Sequence, residues 1–260
     1  MKNFLFLITF SMTLTVFGQS SFNYQTDFEK ILAQTKDTSN NLFYDYLLTR
    51  FITNDTTLTD YEVLALLIGY TDKAEYKPYT DLTTERKIYE INGDGKYYEA
   101  MDSANIFLMT HPLSVKVIFE KSYSFYKLGQ KDSAVFSSYK GRRICEAMCF
   151  SGNGMTPQTP TFALGPADGQ DYIRRFIGSR IGGAKIGVMG SGRDSNGNFL
   201  DILEVVPNDG TPSYNLYFII QHATDKMFSK KDMEKIKESY QEIEKSDKKP
   251  GKREMKIKGN

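Results

Sequence analysis

The apolar pattern of this chain changes period near Phe150, and that change constrains the fold more than any other feature. Up to about Met148, apolar side chains recur every three or four residues, the spacing of one helix face. Beyond Phe150 they form short runs cut by Gly, Pro, Asn and Asp, the spacing of strands and turns. Helices followed by strands is the order of an α+β chain. The expected architecture is a series of N-terminal helical hairpins, then a small antiparallel β-sheet, then a charged C-terminal helix.

Within the helical part, Phe28, Ile31 and Leu32 open one apolar stripe, and Tyr44, Leu47, Leu48 and Phe51 continue with another. Asn54-Asp55-Thr56 breaks the pattern. Thr59 and Glu62 have capping-box spacing before the helix through Leu64, Leu67 and Ile68, which Gly69 is expected to end. Tyr76-Lys77-Pro78-Tyr79 reads as a non-helical connector, because the residue before a proline is driven from helical geometry. Three further helices are expected. Tyr97, Met101, Ala104 and Leu108 line the first. Val115, Ile118, Phe119, Ser122 and Tyr126 line the second, which Ser114 can cap. Ala134, Val135, Ser138, Arg142 and Cys145 line the third. The turn from Tyr126 through Leu128-Gly129 to Ala134 resembles the corner of a tetratricopeptide repeat, and an unrelated helical hairpin fits it nearly as well. Residues 21–149 are therefore read as a tetratricopeptide-like helical domain.

Ser151-Gly152-Asn153-Gly154, Thr156-Pro157 and Thr159-Pro160 form a breaker-rich loop. Strands are expected at Ile186 to Met189, Phe199 to Val206 and Leu216 to His222. Asp194 to Asn198 is a hairpin signal, since Asn-Gly takes positive φ readily. Asp171 to Ile177 reads as a short helix. Residues 150–228 are thus a small β-rich region packed on the helices. From Ser229 onward there are eleven basic and seven acidic side chains. Met233, Ile236, Tyr240 and Ile243 give that stretch a narrow apolar stripe, and the end from Lys248 reads as a disordered basic tail.

Lys2 followed by an uncharged apolar run to Phe17 is the pattern of a secretory signal peptide, with Val16 and Gly18 placing the cut before Gln19. Residues 1–18 are read as that signal. No Cys follows for lipidation, so a periplasmic or secreted protein is expected, with no transmembrane segment in the mature chain. The formal net charge of +1 gives no bias toward nucleic acid. Cys145 and Cys149, one helical turn apart, read as buried apolar residues; a bridge would need a frayed helix end.

Two stretches carry a family resemblance. One is Leu48 to Thr59, followed by Glu62, Gly69-Tyr70 and Tyr76-Lys77-Pro78-Tyr79; the other is Ser151-Gly152-Asn153-Gly154 with strands downstream. Together they resemble a domain-of-unknown-function family of secreted Gram-negative (Bacteroidota-type) bacterial proteins, over roughly Tyr24 to Asp225. The resemblance implies export and helices followed by a sheet, and brings no assigned activity.

Motifs for catalysis fail one after another. No Gly-x-Ser-x-Gly elbow exists, and a nucleophilic triad needs one of only two histidines. His111 reads as an exposed helix-end residue, and His222 as a strand-end polar residue with Asp225 near it. Gly187 to Asp194 is close to a phosphate-binding loop, but Arg193 and Asp194 replace Lys and Ser/Thr, and a turn follows where a helix should. Asp194 to Asn198 and Asn92 to Gly95 lack the ligands of a full Ca²⁺ loop and read as turns. No metal or cofactor is expected. The most suggestive polar set is Arg50, Asp55 and Glu62. A short connector can close it into an ion pair bracing the helical corner, and Tyr70, Tyr76 and Tyr79 can line a groove beside it. The resulting expectation is a non-catalytic binding or scaffold protein of the bacterial envelope, with a protein or envelope partner. The alternatives are a carboxylate-based hydrolase acting on envelope or extracellular glycan, sited where helices meet sheet, and an anionic-surface contact made by the basic tail.

Overall fold

Asn23 begins the first helix by accepting the Thr26 N–H on its side chain. The computed structural model describes residues 22–182 and 190–227. Helix α1 (Tyr24–Lys36) is followed by α2 (Tyr44–Ile52) and α3 (Asp60–Tyr70). At Thr59 the capping box forms in both directions: the Thr59 hydroxyl accepts the Glu62 N–H, and the Glu62 carboxylate accepts the Thr59 N–H at 2.7 Å. Every residue of α3 from Val63 to Tyr70 is buried, so this helix runs through the centre, between α1, α2 and α7. Gly69 lies inside α3 and does not terminate it. A Cβ there would stand 3.0 Å from both Thr35 and Tyr44, so glycine lets α1 and α2 close on the central helix.

Pro78 starts a helix and does not interrupt one. Helix α4 (Pro78–Gly93) has the proline in its first turn, where the missing N–H has no partner to lose. The expected connector is instead the approach to this helix and its first turn. Then come α5 (Tyr97–Leu108), α6 (Val115–Lys127) and α7 (Lys131–Ser151). Ser114 caps α6, and Gly129 at φ 78° reverses the chain into α7. The buried face of α7 runs through Ala134, Ser137, Gly141, Ile144, Cys145 and Met148. It is rotated from the predicted stripe, because Val135 and Arg142 point to solvent. Cys145 is buried and Cys149 exposed, and the two thiols are free.

A buried polar chain ties α4 to α6 and to the segment beyond. Asn92 donates to the Glu120 carboxylate at 2.8 Å, Ser124 donates to Asn92, and Arg175 bonds Glu120 and, at 3.0 Å, Asp171. Asp171 ends the short helix α8 (Asp168–Asp171), which runs directly into a π-helical stretch, Tyr172–Ile177.

The sheet is mixed, where an antiparallel one was expected. Strand β1 (Thr161–Phe162) runs parallel to β5 (Tyr214–Ile219). β5 pairs antiparallel with β4 (Phe199–Val206), and β2 (Arg180–Ile181) and β3 (Gly190–Arg193) share the far edge of β4. The predicted hairpin is the β3–β4 turn, with Gly197 at φ 82° and the Asp194 carboxylate accepting the Asn196 and Asn198 N–H groups. The predicted strand over Ile186 to Met189, the signal segment and the helix and tail after Ser229 lie outside the described residues. The chain leaves β5 for a last short helix, α9 (Gln221–Met227). One apolar core joins the two halves: Phe28, Leu64, Leu67 and Met148 from the helices meet Phe162, Leu203 and Phe218 from the sheet.

Candidate functional site

Arg50, at the end of α2, reaches three acceptors at once. Its Nε meets Asp55 at 2.6 Å, and its two terminal nitrogens meet Glu62 at 2.7 Å and the Thr57 hydroxyl at 3.0 Å. The bonds from Thr57 and Arg50 hold the Asp55 carboxyl down to about 2. Burial pushes Glu62 up, but its bonds from Thr59 and Arg50 outweigh that and leave it below the usual carboxylate range. Arg143 of α7 adds a second grip on the same corner, donating to the Leu58 carbonyl at 2.8 Å and pairing with Asp60 at 2.9 Å. All these charges are matched, so the cluster clamps the start of α3.

The three tyrosines lie elsewhere. Glu62 and Tyr70 sit at opposite ends of α3, about 12 Å apart along its axis at 1.5 Å per residue. Tyr70 and Tyr76 are buried edge to face, with ring centroids 5.6 Å apart, and their hydroxyls bond the carbonyls of Thr110 and Leu164. Tyr79 is half-buried, near Asp201 of β4. Tyr70 and Tyr76 border a small cavity that also takes Asp81 and Glu85 from α4, His111 and Ser114 from the α5–α6 loop, and Asp168. Burial raises all three carboxyls, Asp168 most. Ser114 donates to Glu85 at 2.6 Å, and His111 Nε2 lies 3.5 Å from Asp81. His111 is therefore not an exposed end residue: its ring lies flat on Phe107, with centroids 4.1 Å apart. The cavity holds about 40 Å³, on the scale of a single water at about 30 Å³.

His222 is likewise not at a strand end. It falls in the first turn of α9, buried against Phe162 at 4.5 Å and Phe28 at 5.6 Å between centroids. Its Nε2 meets the Ala163 carbonyl at 2.8 Å, while Asp225 accepts from Gln221 instead. No Asp–His pair forms. The two corrections have different causes: His111 folds back on Phe107, one helical turn before it, whereas His222 enters a stack formed by the distant rings of Phe28 and Phe162.

A second opening is larger than the acidic cavity and mainly apolar. It is a groove of about 720 Å³, floored by α6 and α7 and walled by the ends of α2 and α5. Leu48, Phe51, Leu108, Met109, Ile118 and Phe125 give it an apolar lining. At its rim Met109 is 82% exposed, and Ile52 and Phe136 are about half exposed. Two half-buried lysines enter it, Lys121 from α6 and Lys140 from α7. Each lies over a ring of its own helix, Phe125 at 5.7 Å and Phe136 at 5.1 Å. Among the described residues neither meets a carboxylate within ion-pair distance. Burial lowers both ammonium groups, and Lys121 depresses Lys140 further.

The model of one family, described as a domain of unknown function (DUF4919), matches residues 29–177. The chain belongs to this family. No curated protein and no solved structure matches it. The DUF4919 match takes in every residue lining the groove and every residue lining the acidic cavity, and it ends at the π-helical stretch, before β4 and β5. Both openings are thus parts of the DUF4919 domain proper. The groove escaped the sequence reading because its lysines come from two helices. A signal was present: Ile118, Lys121 and Phe125, and Ser133, Ser137 and Lys140, set a cation on a helical stripe.

Proposed function

We propose that this is an exported, non-catalytic binding protein of the bacterial envelope, and that the groove between α2, α5, α6 and α7 takes the apolar part of an envelope constituent. The observation that carries the reading is the groove itself: about 720 Å³, open and mainly apolar. Ligand sites commonly fall between about 300 and 1,000 Å³, and exposed apolar patches of this kind mark contact surfaces. The signal-like start supports export; a mature protein beginning at Gln19 by mass spectrometry is the expected result.

A glycan hydrolase at the acidic cavity is the second reading, favoured by the three raised carboxyls. Paired carboxylates cleave a glycosidic bond only with a sugar ring between them, and about 40 Å³ is too little for one. The test uses the immobilised full chain, gently presented with the native envelope fraction. Saturable recovery of one constituent is expected, lost when Met109→Glu and Phe136→Glu are introduced together. Equal recovery by that variant, or none by the native chain, would count against the groove.

A further inference from the structure

We propose that the groove's ligand is a single-chain alkyl carboxylate, such as a free long-chain fatty acid, with its head between Lys121 and Lys140 and its chain along Phe51, Leu108 and Ile118. This rests on the groove being a binding site, and adds the chemistry of what fills it.

Three observations converge on that class. Two cations enter an apolar wall without a carboxylate partner among the described residues. Partial removal of a cation from water costs free energy unless an anion answers it. Among the described residues the two ammonium groups meet only the faces of Phe125 and Phe136, with no anion, and they repel each other, so an arriving anion relieves both costs. The second observation is charge balance. The ionisable side chains lining the groove are Lys121, Lys140 and Asp132, a surplus of one positive charge. A carboxylate closes that balance, whereas a phosphate monoester near −2 at neutral pH overshoots it. The third is the shape of the cations. Lysine is a compact point charge on a flexible stem, so two of them can close on a small anionic head without the planar fork that arginine imposes. The apolar length of the groove then supplies the affinity, at about 0.8 kcal/mol for each methylene buried.

The experiment is calorimetric titration of the full chain with decanoate, decylammonium, decanol and decyl phosphate, which share one chain and differ in the head. Decanoate is expected to bind at one saturable site, at least tenfold tighter than decanol, with decylammonium weakest and decyl phosphate no tighter than decanoate. Lys121→Gln with Lys140→Gln is expected to erase the tenfold preference. Lys121→Glu with Lys140→Glu should invert it, so that decylammonium binds better than decanoate, a reversal that loss of folding cannot produce. Equal binding of decanoate and decanol overturns the headgroup assignment and leaves the groove as a site. Tighter binding of decyl phosphate overturns the choice of carboxylate. If no alkyl probe binds, the groove reading itself falls. Decanoate binding that survives the double reversal belongs to another surface, such as the basic tail, and overturns the proposal.

Discussion

His222 shows how far one side chain can depart from its ordinary chemistry. Only an N–H can bond a carbonyl, so its contact with Ala163 fixes the proton on Nε2 and leaves Nδ1 buried without a partner among the described residues. Burial pushes the imidazole down to about 3, the Ala163 bond opposing only weakly. An unfolded histidine takes up its proton near 6.5, so between those two values the unfolded chain holds the extra proton. The sign follows: this site leaves stability intact above pH 6.5 and drains it as pH falls toward 3. At 1.36 kcal/mol per pH unit the full loss is on the order of 5 kcal/mol. His222→Phe should keep the stack on Phe162 and forfeit the Ala163 bond, costing about 1 kcal/mol at pH 8. Its urea midpoint should then fall less than the native protein's on acidification from pH 7 to pH 4. Parallel curves for the two proteins would refute the assignment. Nothing in the sequence announced this. A histidine after a strand looks the same whether it faces water or Phe28, and only the packing of α1 on the sheet decides.

Elements whose boundaries are set by their own residues were legible. The Thr59–Glu62 capping box, the Gly129 reversal and the Asn-Gly hairpin rest on contacts within a few residues, and β4 was legible from its own run of β-branched and aromatic residues. Elements held by distant partners were not. The parallel pairing of β1 depends on β5, more than fifty residues later. Helix α4 has a weak apolar pattern because its buried face carries Glu85 and Asn92, both satisfied by α6 or the loop before it. Of the polar sets, the Arg50 cluster was readable because Asp55 and Glu62 lie within twelve residues of it. Its fork is what the corner uses. Lysine at position 50 keeps the charge, but a single ammonium cannot span Asp55, Thr57 and Glu62 together. Arg50→Lys is expected to cost about 1–2 kcal/mol in chemical denaturation and to leave alkyl-chain binding in the groove unchanged. A variant as stable as the native chain would show that Arg143 alone secures α3.

At the scale of the molecule, the change of period in the sequence does not mark a break in folding. Phe162, Leu203 and Phe218 pack into the same core as Leu64, Leu67 and Met148, and Gly169 lets α8 approach so closely that a Cβ would stand 2.9 Å from the Phe218 ring. The family match ends at Ile177, yet the strands that cover Phe162 and Ile173 come later. The cooperative unit must therefore extend from α1 to α9, beyond the matched segment. Leaving Phe162 and its neighbours uncovered forfeits about 1.5–3 kcal/mol for each large side chain, and the whole stability of a domain is only about 5–15 kcal/mol. A chain stopped after Ile177 loses β2 to β5 and α9, and with them Leu200, Leu203, Val205, Leu216 and Phe218. It is expected to lose cooperative unfolding, while the chain through Met227 keeps it. Helix circular dichroism and tyrosine fluorescence should report one coincident denaturant transition for the longer chain and a broad, non-coincident one for the shorter. A sharp single transition in the shorter chain would mean that the helices hold their core without the sheet, and that the join at Phe162 is a docking contact between two separately stable parts.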